Sequence, residues 1–151
     1  MARQRWKYTG CGLDGIYLLN GFELEDGKRG RVVKVRDLEG LHRAIGEDLV
    51  RQKRSLNGRE LRFLRNELGL SQSTLADLLG ESEQTVARRE KAKRRPKRPT
   101  PQERLIRFLY EEHIGGSAKL TELLNDLTVL DNKRADEPWT LQDTGWSRKV
   151  A

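Results

Sequence analysis

Apolar positions along the 151-residue chain fall into one pair of extended segments followed by six stretches at helical spacing. Residues 16–24 (IYLLNGFEL) and 31–36 (RVVKVR) are rich in β-branched, aromatic and apolar side chains. Between them EDGKRG puts a glycine at both turn-forming places, which predicts a β-hairpin. Asp37 reads as an N-cap, and Leu38, Leu41, Ile45 and Leu49 follow at helical spacing, predicting a helix over about 38–53. Within it Gly40 and Gly46 each cost roughly 1 kcal/mol relative to alanine.

Asn57 and Glu60 have the spacing of a capping box, and Leu61, Leu64 and Leu68 give the stripe of the helix that Gly69 ends. Ser71 starts a third helix with Leu75, Leu78 and Leu79 inward and Gly80 as its stop. Ser82 starts a fourth, to about Lys91. The two prolines of AKRRPKRPT forbid continuous helix. Thr100, Pro101 and Glu103 give the N-cap, N1 proline and capping box of a fifth helix, with Leu105, Ile106, Leu109, Tyr110 and Ile114 as its stripe and Gly115 as its end. Ser117 caps a sixth, with Leu120, Leu123, Leu124, Leu127 and Leu130 on one face. From about Lys133 no period is visible, and Trp139 and Trp146 read as pins of the tail to the body or to a second subunit. No internal repeat is seen, and the first ten residues read as loose.

A chain of this length fits one domain with an elaborated edge. Apolar and charged residues each make up 35%, so the core must be lean. No apolar run approaches ~18 residues, which excludes a membrane helix. No apolar segment follows the first basic residues, so no secretory leader is expected. The single cysteine, Cys11, excludes an internal disulfide framework and points to a reducing, cytoplasmic setting.

The net charge of +7 is unevenly placed. Residues 55–101 carry 11 Lys/Arg against 6 Asp/Glu, a net of +5, whereas residues 102–151 carry 7 against 9, a net of −2. Arg88 to Arg98 holds eight basic residues in eleven. Such a field suits a polyanion, and it also fits a solvated basic face.

The segment SQSTLADLLGESEQTVARRE (71–90) predicts two short helices joined by a tight turn at Gly80. Ala76 sits where the helices must approach closely, and Val86 faces back toward Leu75 and Leu79. This is the pattern of a helix-turn-helix, whose second helix suits a major groove about 12 Å wide. With LRFLRNELGLSQ (61–72), Ala76, Gly80, Val86 and Glu90, residues 57–114 resemble the Xre family, the helix-turn-helix regulators related to phage repressors and Cro. YLLNGF (17–22) followed by DLEGLHRAIG (37–46) is similar to a variant in which a hairpin and helix precede the DNA-binding domain. The helix-turn-helix half also resembles that of MqsA-type antitoxins, whose N-terminal zinc module uses paired cysteines. With only Cys11 present, the resemblance stops short of that module.

The resemblance implies a mostly α fold: a five-helix-type, repressor-like domain (55–114) between a hairpin-and-helix extension (1–54) and a C-terminal helix and tail (115–151). It places Glu83, Gln84 and Arg88 toward base edges, and gives Gln72, Ser82 and Thr85 to phosphates. It makes Arg65 and Glu90 a structural ion pair. The side-chain chemistry agrees, since Gln pairs bidentately with adenine, Arg with guanine, and Glu accepts from cytosine N4. Glu83 has a second reading as a complement to the helix dipole, and Ser82 is first an N-cap. Lys93, Arg94, Arg95, Lys97 and Arg98 read as a phosphate grip or as a solvated loop. Glu81 and Arg89 stand where the family is usually apolar, and Arg89 is expected to send its guanidinium to solvent or phosphate.

Cys11, His42 and His113 lack metal-ligand spacing, the glycines of GCGLDG (10–15) neither follow a strand nor open a helix, and no nucleophile–base set appears. The chain therefore reads as no enzyme, needing no cofactor. The leading expectation is a sequence-specific transcriptional regulator, a repressor-type homodimer on the inverted-repeat operator of double-stranded DNA. The 120–130 stripe or the hairpin edge would join the two copies. The alternative is an antitoxin that binds a toxin through 11–54 and autoregulates its operon.

Overall fold

Each helix begins at a side chain that satisfies the open N–H groups of its first turn, and these caps divide the chain. The computed structural model describes residues 5–52, 54–127 and 138–147. Among these are β1 (Trp6–Lys7), β2 (Tyr17–Leu18), β3 (Phe22–Gly27), β4 (Gly30–Val35), α1 (Leu38–Arg51), α2 (Gly58–Glu67), α3 (Gln72–Leu79), α4 (Glu83–Lys91), α5 (Pro101–Ile114), α6 (Ala118–Leu127), β5 (Thr140–Gln142) and β6 (Gly145–Ser147). Two compact units meet in sequence between Leu120 and Thr121. No described helix is long and apolar enough to cross a membrane.

The N-terminal strands differ from expectation. The segment expected as one strand over 16–24 bends at residues 19–21 and serves two partners. β2 pairs antiparallel with β1, in the stretch expected to be loose. β3 pairs with β4 from Phe22↔Val35 to Gly27↔Gly30, leaving a two-residue turn at Lys28–Arg29. Alternation puts Phe22, Leu24, Val33 and Val35 on one face, with Trp6 stacked 6.3 Å from Phe22, and Glu23, Glu25 and Lys34 on the other.

The core of the first unit is built from α1, α2 and α5, with α4 on α2 and α3 on α4. Leu56, Phe63, Leu64, Leu75, Ala76, Val86, Ile106, Leu109 and Tyr110 are buried there. Asp37 caps α1 through the Gly40 N–H at 3.1 Å. Gly46 has a packing reason. A Cβ there would lie 2.1 Å from the Tyr110 hydroxyl, so only glycine lets α1 and α5 meet over that ring. Burial pushes the Tyr110 phenol up to about 12, with Glu67 and Glu47 adding to the shift and Arg43 opposing it. His42 joins the β1 end to the α2 end, bonded to the Tyr8 hydroxyl at 2.8 Å and to Glu67 at 2.9 Å.

Several expected core positions turn outward. Leu38 and Leu105 are exposed, and Phe108, absent from the expected stripe, is 57% exposed. At α5 only half of the expected capping box forms. The Thr100 hydroxyl accepts the Glu103 N–H at 3.1 Å, but the Glu103 carboxylate accepts the Leu56 N–H instead of returning to Thr100. The buried strand of chain entering α2 needs that acceptor more.

At α6 the Ser117 hydroxyl accepts the Leu120 N–H, and Leu120 is buried. Leu123 is exposed. The side chains of Leu124 and Leu127, and Leu130 altogether, lie outside the described residues. In the second unit the tail read as aperiodic holds a hairpin, β5 with β6, paired Thr140↔Ser147 and Leu141↔Trp146. Trp139 and Trp146, expected as pins, are exposed there.

Candidate nucleic-acid interface

The helix-turn-helix is made by three local devices. The Ser71 hydroxyl accepts the Thr74 N–H at 3.0 Å and starts α3. Gly80 ends α3 in the left-handed region at φ 67°, with the Glu81 N–H returning 2.9 Å to the Ala76 carbonyl. The Ser82 hydroxyl then accepts the Thr85 N–H at 3.2 Å, starting α4 two residues later, and meets the Thr85 hydroxyl at 2.8 Å. Val86, Leu75 and Ala76 are buried between the two helices.

With Val86 and Glu90 inward, the opposite face of α4 carries Gln84 and Arg88, both exposed and one helical turn apart, while Glu83, also exposed, opens the first turn three residues before Val86. Ser82 is exposed and Thr85 half-buried beside them. Four of the expected contact residues, Ser82, Glu83, Gln84 and Arg88, are thus exposed on or beside α4.

Glu90 ties three helices together. Its carboxylate takes the Arg65 guanidinium in a forked contact, Nε at 2.5 Å and Nη2 at 3.3 Å, with the side chains 10% and 5% exposed. Arg65 also donates to the Leu70 carbonyl at 2.9 Å. Gln72, expected at a phosphate, donates its amide to Glu90 at 2.5 Å, so one of its two N–H groups is already engaged.

The basic loop after α4 is anchored. Arg95, expected to grip phosphate, is turned to the start of α2, where its guanidinium donates 2.8 Å to the Ser55 carbonyl and pairs with the Glu60 carboxylate. The Ser55 hydroxyl donates to the Pro96 carbonyl. Glu60, buried by the α2 capping box, needs a cation, and Arg95 is placed to supply it. Lys93, Arg94, Lys97 and Arg98 stay exposed.

Arg89 also departs from expectation. Its guanidinium pairs with Glu81 at 2.7 Å, with its side chain about a third exposed. The two residues are therefore partners, bridging the turn before α4 and the end of α4.

Arg59, Arg62 and Lys91, which are not among the expected contact residues, line a cleft of about 480 Å³ with Lys93, where the start of α2 meets the end of α4. The Gly58 N–H donates 3.1 Å to the Ala92 carbonyl there, and a Cβ on Gly58 would lie 2.4 Å from the Arg89 and Glu90 carbonyls. Asp14, from the glycine-rich loop, pairs with Arg59 at 2.9 Å. The spacing of Arg59 and Arg62 on one helix face was a usable signal. No group of three or more His, Cys, Asp or Glu able to hold a metal ion occurs among the described residues.

Residues 61–100 match the family model described as helix-turn-helix. The match runs from the first turn of α2 through α3 and α4 to the N-cap of α5. Comparison with curated proteins and with solved structures gives no match.

Proposed function

We propose, from the Xre/Cro-like helix-turn-helix of residues 61–100, that the chain is a sequence-specific DNA-binding transcriptional regulator. The observation that carries this is α4: Gln84 and Arg88 exposed one turn apart, with Glu83 exposed at its start and four exposed cations, Lys93, Arg94, Lys97 and Arg98, in the loop that follows. α4 enters the major groove. Gln84 pairs with adenine and Arg88 with guanine. Glu83 accepts from cytosine N4 or complements the α4 dipole. Ser82, Thr85 and the second N–H of Gln72 take phosphates, as do Lys93, Arg94, Lys97 and Arg98. Arg95 holds the loop in place for them.

One helix reads few base pairs, too few for a useful specificity ratio, so two copies on an inverted repeat are the operating form. Regulation follows by occlusion or recruitment at a promoter. Binding uses the chain's own side chains and calls on no cofactor. Selection from random duplex DNA followed by sequencing tests the reading: an inverted repeat is expected, and Gln84→Ala should relax one position in each half-site. Enrichment of no sequence would refute it.

A further inference from the structure

The outer face of α5 carries a charge order that its own helix does not explain. Glu103, Ile106, Leu109 and Tyr110 face the core. The opposite face presents Arg104, Leu105, Phe108, Glu111 and Glu112, of which only Glu112 is half-buried. Phe108 is 57% and Leu105 36% exposed.

Arg104 lies toward the N-terminal end, and Glu111 and Glu112 lie in the last turn, each against the helix dipole. The other end charges, Glu103 in the first turn and His113 in the last, follow the dipole. Arg104, Glu111 and Glu112 make no ion pair among the described residues, so none of those residues repays the unfavourable placement.

A second copy laid antiparallel on this face, with its two-fold axis at Phe108, repays it. Position 108+k then lies level with 108−k of the other copy. Arg104 meets the partner's Glu112, Leu105 lies along the partner's Glu111 stem, and the two Phe108 rings meet at the axis. The set of charges is self-complementary only in this antiparallel sense, and the two helix dipoles oppose one another as well. We infer that the Arg104–Glu112 face of α5 is a homodimer interface, with Phe108 at its centre. This differs from the two expected interfaces, the 120–130 stripe and the hairpin edge. It supplies the two-fold symmetry that an inverted repeat requires, and its test uses no DNA, so it stands or fails apart from the proposed function.

The test is sedimentation equilibrium of the full chain at tens of micromolar. The parent should run at twice the 17.4 kDa chain mass, and Phe108→Glu at the chain mass with unchanged helical circular dichroism. Arg104→Glu and Glu112→Arg, each on the surface, should separately weaken the dimer about tenfold or more, since each sets like charges opposite one another twice over. Mixing the two variants should restore the dimer, because every cross pair is then opposite in sign. A monomeric parent overturns the inference and leaves the face to a different protein. So does a dimer that both charge reversals leave intact. If Phe108→Glu fails to fold, the two charge variants and their mixture decide alone.

Discussion

Glu81, in the turn before α4, and Arg89, near its end, pair 2.7 Å apart, with the Glu81 side chain only 11% exposed. Each stands where a resembling family is usually apolar, and each supplies the partner that the other needs. Removing one charge leaves a nearly buried ion unpaired, whereas removing both leaves two stems that can pack. Arg89→Leu alone should therefore destabilise by about 2 kcal/mol, and Glu81→Leu with Arg89→Leu should cost far less or stabilise. Urea unfolding of the two single variants and the double variant closes this cycle. Additive losses would show that the pair contributes nothing as a pair.

Arg65 and Glu90 are more deeply placed, and Glu90 also holds Gln72. Glu90→Ala should cost about 3 kcal/mol or more, since it strands the Arg65 guanidinium. The isosteric Glu90→Gln fills the same space but keeps only one acceptor oxygen, its NH2 facing a donor of Arg65 or Gln72, so it should fall between. A melting temperature unchanged in Glu90→Ala would show that the pair seen here does not bear on stability.

Gly46 tests packing against propensity. On an exposed helix, glycine to alanine gains about 1 kcal/mol. Here the added methyl would sit on the Tyr110 hydroxyl, and overpacking costs typically 1–3 kcal/mol. Gly46→Ala should therefore destabilise, and Tyr110→Phe beneath it should recover part of the loss. A stabilised Gly46→Ala in denaturant titration would mean that α1 and α5 yield more readily than their contact suggests.

The caps were the legible part of this chain. Asp37, Asn57, Ser71, Ser82 and Thr100 each act within three residues, so spacing alone places them. The outward set on α4 was legible for the same reason, because one helical period decides it. β1, β5 and β6 were not, since strands of two or three residues hold no period to read, and β2 was legible only as part of the longer strand expected over 16–24. Nothing in the sequence beside Arg95 or Arg89 points to its partner. Their partners, Glu60 and Glu81, lie 35 and 8 residues away and are chosen by packing. Phe108 was passed over because α5 carries more apolar residues than one buried face can take.

The last prediction separates reading from gripping and from anchoring within one basic segment. Under the proposed reading Gln84 and Arg88 contact base edges, where a good bidentate pair discriminates by ~1–3 kcal/mol. Gln84→Ala should therefore weaken a selected site strongly and random duplex hardly at all, with the salt dependence nearly fixed. Arg94→Ala with Lys97→Ala should weaken both DNAs alike. It should also flatten the plot of log affinity against log salt by up to about 2 units, each phosphate contact adding about 0.9 to its magnitude. Neither change should move stability, since both side chains are exposed. Arg95→Ala should behave differently from its neighbours. It strips the buried Glu60 of its cation and frees the loop from Ser55, so it should lower the unfolding free energy by about 1–3 kcal/mol and reduce affinity through a less ordered loop. Measuring all three variants on both DNAs at four salt concentrations, with a urea curve for each, gives three distinct signatures. If Arg95→Ala keeps full stability and loses one phosphate's share of the salt slope, Arg95 leaves Glu60 to grip DNA. If Gln84→Ala binds both DNAs as the parent does, α4 does not read bases.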